Sequence, residues 1–113
     1  MNQLDRTLVA LADPTRRGVI DLLRRSPRRA SELADTLGAS RPAMSRHLRV
    51  LRKSGLVETS SDEHDDARLR VYRLKQERIA ELRDWLDQAL AFWTVELGAF
   101  AAHVERTRGK KRT

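Results

Sequence analysis

Residues 38–57, Gly38-Ala39-Ser40-Arg41-Pro42-Ala43-Met44-Ser45-Arg46-His47-Leu48-Arg49-Val50-Leu51-Arg52-Lys53-Ser54-Gly55-Leu56-Val57, decide how the chain folds. Ser40 has the side chain of an N-cap, and it opens a helix expected to run from Arg41 to Ser54, where Gly55 stops it. Pro42 is tolerated in the first turn because the amide hydrogens there have no intrahelical partner. At about 100° per residue, Met44, Leu48 and Leu51 fall on one side of this helix, and Pro42, Arg46, Arg49, Val50 and Lys53 fall on the other. Between Arg41 and Lys53 there are five Arg or Lys residues and no acidic one. The inner side therefore packs while the outer side is basic.

Upstream, Ser31 to Leu37 reads as a short helix with Leu33, Ala34 and Leu37 facing inward, and Gly38 takes the left-handed position that ends it. Further back, Leu4, Leu8 and Leu11 recur at helical spacing, and Asp13-Pro14 then starts a second helix, with Asp13 as N-cap and Pro14 at its first position. Val19, Ile20, Leu22 and Leu23 give that helix its apolar face before Ser26-Pro27 breaks it. Downstream the period changes. Leu56–Ser60 and Arg68–Leu74 are strand-like and joined by the polar stretch Ser61–Ala67, which makes a hairpin with a long tip. Two faces of the second strand compete for burial, Leu69 with Val71 and Tyr72 with Leu74.

The remainder, about 76–106, reads as one long helix. In it Ile79, Leu82, Leu86, Leu90, Trp93, Leu97, Phe100 and Val104 are spaced 3, 4, 4, 3, 4, 3 and 4. Such a seam wants a partner. Residues 107–113 are basic, contain no apolar residue and are expected to form a disordered tail, which leaves a single domain over 1–106.

Composition bounds what such a domain can do. The 113 residues carry 23 Lys+Arg against 16 Asp+Glu, a formal charge of +7 that favours a polyanionic partner. Aromatic residues make up 4%, too few for stacking platforms that hold single strands. Zero cysteines exclude disulfides, thiolate metal sites and a cysteine nucleophile. No apolar run approaches the roughly 20 residues that span a bilayer, and Met1–Asp5 lacks signal-peptide organisation, so no membrane partner and a cytoplasmic location are expected.

Two short helices around the turn Gly38-Ala39-Ser40 have the sequence form of a helix-turn-helix, whose second helix fits the major groove of double-stranded DNA. Residues in the first turns of such a helix reach base edges, and those further along meet the sugar-phosphate backbone. Arg41, Ser45 and Arg46 are the base-edge candidates, the two arginines because a guanidinium can pair bidentately with guanine. Pro42 shares their exposed first turn. Ser40, His47, Arg49, Arg52 and Lys53 are phosphate candidates, although His47 on the flank of the buried side serves equally as a packing or capping residue. Arg16 and Arg17 at the start of the second helix, and Ser31 at the start of the third, could add backbone contacts through charge and exposed amide hydrogens.

Glu32 through Val57 resembles the ArsR family of bacterial winged helix-turn-helix transcriptional regulators. Ala12-Asp13-Pro14-Thr15-Arg16-Arg17 looks like that family's early motif, and Arg70-Val71-Tyr72-Arg73-Leu74 like its wing strand. The likeness covers about residues 4–104, and the stretch Phe92–Arg106 is similar to a metal-independent branch. It implies a mainly α fold with a small β-hairpin wing, a homodimer, and a repressor of a palindromic operator, often its own. Family members that sense metals through thiolates need cysteines, which are absent here. A second family site uses His and carboxylates on the last helix, which here offers only His103 with Glu96 or Glu105. No metal and no cofactor are expected. Asp62, Glu63, Asp65 and Asp66 place four carboxylates at the wing tip. That tip reads as a solvated acidic loop, leaving Arg68 and Arg70 to approach the backbone.

The dimer interface is expected along Leu86, Leu90, Trp93, Leu97 and Phe100, with Trp85 adding area, packed against Leu4, Leu8 and Leu11 and the same elements of a second chain. Two other functions compete, a winged-helix module that binds protein and a non-specific DNA-binding protein. Catalysis finds no support, since no nucleophile elbow, phosphate loop or metal motif is present. Whether an effector relieves binding is not written in the residues.

Overall fold

The structure, a computed structural model, describes residues 1–60 and 69–111, with the side chains of Thr94 and of 107–111 set aside. Contacts divide the chain into two units, Met1–Glu81 and Leu82–Thr113. In chain order the elements are α1 (Gln3–Leu11), α2 (Pro14–Leu23), β1 (Arg28–Arg29), α3 (Ala30–Leu37), α4 (Arg41–Lys53), β2 (Val57–Thr59), β3 (Val71–Leu74) and α5 (Gln76–Lys111).

Local chemistry sets most of these boundaries. The Asn2 side chain accepts from the Asp5 amide at 2.8 Å and caps α1. Asp13 does the same for α2, accepting from the Arg16 amide at 3.0 Å, with Pro14 in the first turn. Gly38 (φ 66°) and Gly55 (φ 79°) occupy the left-handed region just beyond α3 and α4, a conformation that a side chain would strain. Ser40 caps α4 by accepting from the Ala43 amide at 3.2 Å. Helix α3 starts one residue before the expected Ser31, and Ser54 is the C-cap of α4 instead of its last turn.

Helices α1 to α4 and the sheet enclose one core in the first unit. Val19 and Leu23 of α2, Leu33 and Ala34 of α3, and Met44, Leu48 and Leu51 of α4 are buried there with Ala10, Leu56, Val57 and Tyr72. Burial of Tyr72, with Leu74 packed against the same core, resolves which face of β3 points inward; Leu69 is exposed. The inner face of α1 is made by Thr7 and Ala10, whereas Leu8 is exposed and Leu4 and Leu11 are half-buried. Thr7 satisfies its buried hydroxyl by donating to the Gln3 carbonyl at 3.1 Å. Gln3 in turn donates through Nε2 to the Ser54 carbonyl at 2.7 Å and ties α1 to the end of α4.

The sheet has three strands in the order β1-β3-β2, all antiparallel. Strand β1, two arginines following the Ser26-Pro27 break, has no expectation in the sequence behind it. It exists because Arg28 and Arg29 pair with Tyr72 and Val71 on the free edge of β3. On the other edge, Val57, Glu58 and Thr59 stand opposite Leu74, Arg73 and Tyr72, with Glu58 and Arg73 an opposite-charge pair. The strands are shorter than the hairpin read over 56–60 and 68–74. Its expected tip, with the acidic residues 62–66 and Arg68, lies outside the described residues.

The second unit consists of α5 from Leu82 onward. The helix runs to Lys111, so 107–111, read above as part of a disordered tail, are helical. Arg and Lys are good helix formers, and positive charge suits a helix C-terminus. Residues 112 and 113 lie outside the described residues.

The Asp13 cap carries a pH dependence. The Arg16 amide holds this carboxyl below the usual carboxylate range; partial burial opposes the shift, and the His47 and Arg16 charges add to it. With the folded-state value below the unfolded one, the contribution is complete above the usual carboxylate range. It is lost as pH falls through the folded value. Asp13→Ala should cost about 1 kcal/mol in urea unfolding at neutral pH, and the gap from wild type should close on acidification.

Candidate nucleic-acid interface

The core fixes how α4 is rolled. Met44 and Leu51 are fully buried and Leu48 is 1% exposed, so the opposite side of the helix must face solvent. Arg41, Pro42, Ser45, Arg46, Arg49, Arg52 and Lys53 are all exposed. Among the described residues, none of these arginines nor Lys53 has a carboxylate within ion-pair distance. Five cations on one helix face are therefore without a neutralising partner among the described residues. Ser40 spends an acceptor on capping but keeps a hydroxyl hydrogen to donate outward.

The outer face continues onto the sheet through two adjoining clefts. One, of about 470 Å³, is lined by Ser45, Arg49, Arg52, Lys53, Arg70 and Tyr72. The other, of about 270 Å³, is lined by Ala30, Ser31, Arg41, Met44, Ser45, Leu48, Arg70 and Tyr72. Arg70 and Ser31 thus share clefts with the α4 residues. Tyr72, absent from the residues singled out in the sequence, lines both clefts. Its signal was masked by the two competing faces of β3.

Arg16 and His47 sit elsewhere. The Arg16 guanidinium donates through Nε to the Ala10 carbonyl at 2.7 Å and through Nη2 to the Val9 carbonyl at 3.3 Å. Arg17 donates to the Leu11 carbonyl at 2.8 Å, so the first turn of α2 caps the last carbonyls of α1. Nη1 of Arg16 lies 3.3 Å from His47 Nδ1, and Asp13 Oδ1 is 3.9 Å from the same nitrogen. In a neutral ring Nδ1 accepts from the guanidinium and the hydrogen sits on Nε2, whereas a protonated ring carries Nδ1–H toward Asp13; Nε2–H is present in both. His47 is half-buried in this junction, the capping and packing alternative, while its other nitrogen keeps a donor.

On α5 the seam residues Leu86, Leu90, Trp93, Leu97 and Phe100 are all exposed, Phe100 at 66%, and so is Trp85. Phe92 and Val95, off that seam, are exposed as well. Among the described residues no helix is long and apolar enough to cross a membrane, and no three His, Asp or Glu side chains gather as a metal site.

Residues 13–59 match the family model described as bacterial regulatory protein, arsR family. The chain is 42% identical over 101 residues to the HTH-type transcriptional regulator Rv2034 of Mycobacterium tuberculosis, covering 89% of this chain and 88% of the relative. Among solved structures, an ArsR-like transcriptional regulator from Rhodococcus sp. RHA1 superposes with a TM-score of 0.76 at 30% identity, covering 91% of each chain. The homodimeric winged helix-turn-helix DNA-binding domain of a Mycobacterium bovis protein, a possible ArsR-family regulator, gives a TM-score of 0.61 at 31% identity, over 83% of this chain and 82% of that one. With a helix-turn-helix at α3–α4, a sheet beside it and these likenesses, the chain belongs to the ArsR family of bacterial regulatory proteins, transcriptional regulators built on a winged helix-turn-helix.

Proposed function

We propose that the protein binds double-stranded operator DNA sequence-specifically as a homodimer and represses transcription, its own operon included. The observation that carries this reading is the cationic face of α4, which has no carboxylate partner among the described residues and is continued by Arg70 beside it. Helix α4 has the width of a major-groove reader, and its N-terminal turns carry Arg41, Ser45 and Arg46 toward base edges. Ser40, Arg49, Arg52, Lys53 and Arg70 track the phosphates, with Ser31 at their edge and the Nε2 hydrogen of His47 as a further donor. Arg16 acts chiefly by holding the α1–α2 junction against His47. The DNA partner puts the protein in the cytoplasm.

One such helix reads too few bases for operator-level specificity; two held about 34 Å apart read a palindrome. The exposed apolar length of α5 supports the pairing, because so large an apolar patch on a helix calls for a cover. Leu86, Leu90, Trp93, Leu97 and Phe100 form that interface. Repression follows from occupancy, since a dimer seated in successive major grooves excludes other proteins from the same promoter segment.

Selection of bound sequences from random duplexes should return a palindrome bound several decades more tightly than bulk DNA; a flat preference would reduce the protein to a non-specific binder. Against that palindrome, Arg46→Ala should cost about 1–3 kcal/mol and relax preference at one base position per half-site. Uniform weakening across sequences would reassign Arg46 to a phosphate. Arg49→Ala and Lys53→Ala should each lower the slope of log affinity against log salt by about one. Trp93→Glu should sediment as a monomer and lose operator binding, and a persistent dimer would move the interface off this seam.

A further inference from the structure

Tyr72 occupies the middle strand of the sheet, opposite Arg28 of β1 and Thr59 of β2. Its ring is packed in the core, and the residue is only 8% exposed. No described residue hydrogen-bonds its hydroxyl, which nevertheless is not among the polar atoms sealed from solvent. Tyr72 lines both clefts beside α4, and Ser45 and Arg70 line both with it. A buried tyrosine ring ordinarily ends in a satisfied hydroxyl. Here the residue lies in a strand paired on both sides, its hydroxyl has no hydrogen-bond partner among the described residues, and the clefts it lines are lined by cations as well.

We propose that Tyr72 and Arg70 form a seat for one backbone phosphate of the duplex, with the Tyr72 hydroxyl donating to a non-bridging phosphate oxygen and Ser45 at the edge of the same clefts left to the bases. The seat presupposes the DNA-bound function proposed above and adds to it a neutral anchor that carries no sequence information. A phosphate fits better than a base because the ring is buried and cannot stack, and because a guanidinium and a phenol hydroxyl sharing a cleft suit an anion. A phenol fixed by its strand loses less freedom on binding than an arginine, so it can set the register of the duplex against α4 where the longer cations supply attraction.

The experiment uses the full chain with Tyr72→Phe, titrated against the selected palindrome and an unrelated duplex. The expected result is an affinity about tenfold lower on both, with an unchanged salt slope, because a neutral hydroxyl releases no counterion. Arg70→Ala, by contrast, should lower the slope by about one. The urea midpoint of Tyr72→Phe should equal that of wild type; a large fall would mean that the hydroxyl serves the fold, which overturns the seat. A scan with single neutral methylphosphonate linkages should find one position per half-site at which the loss of affinity is smaller in Tyr72→Phe than in wild type. Wild-type affinity in Tyr72→Phe, or no such position, overturns the seat while leaving DNA binding in place. Failure of wild type to bind any duplex overturns both.

Discussion

Burial of Met44, Leu48 and Leu51 against the core is the constraint on which everything else turns. A helix has one orientation that hides this stripe, and in that orientation its arginines cannot be anywhere but outside. The strength of the constraint comes from size. Each of these side chains contributes on the order of 1.5–3 kcal/mol when removed from water, and together they outweigh the mutual repulsion of exposed, screened cations. The same packing seats the sheet beside α4, which is how Arg70 and Tyr72 come to share clefts with Ser45 and Arg49.

What could be read without coordinates was what neighbouring residues decide. Ser40, Asp13, Gly38 and Gly55 each act through a hydrogen bond or a backbone angle within a few positions, and each does what its residue type implies. The outer face of α4 was equally legible, because helical periodicity alone sorts its residues. Contacts far apart in the chain were not. Nothing in Arg28-Arg29 signals a strand, since arginine has no particular liking for one and the pairing comes from β3. The junction of Arg16 with His47 spans 31 positions and gives no pattern to find. Tyr72 stayed hidden for a subtler reason: alternation on β3 offered two apolar faces, and only the three-dimensional core chooses between them.

Charge is distributed with a division of labour. Arg16 and Arg17 are spent on the carbonyl end of α1, and Arg78 pairs with Glu81 at 2.6 Å, so these cations contribute to local structure. Among the described residues, nothing spends the arginines of α4. In the second unit the uncovered surface is apolar instead, with Trp93 60% and Leu90 61% exposed. The two units thus present surfaces of opposite chemistry, one suited to a polyanion and the other to a hydrophobic mate.

Because the packing and the outer sets of α4 share no residue, evolution can edit one without disturbing the other. Positions 41, 45 and 46 can be rewritten by successive point changes at little thermodynamic penalty, so gene duplication followed by drift could give paralogues with new target sites on an unchanged scaffold. An insertion or deletion inside the helix has no such freedom. Shifting the frame by one residue swings the downstream cations by about 100° and breaks both sets at once, so diversification of this module proceeds by substitution at constant length.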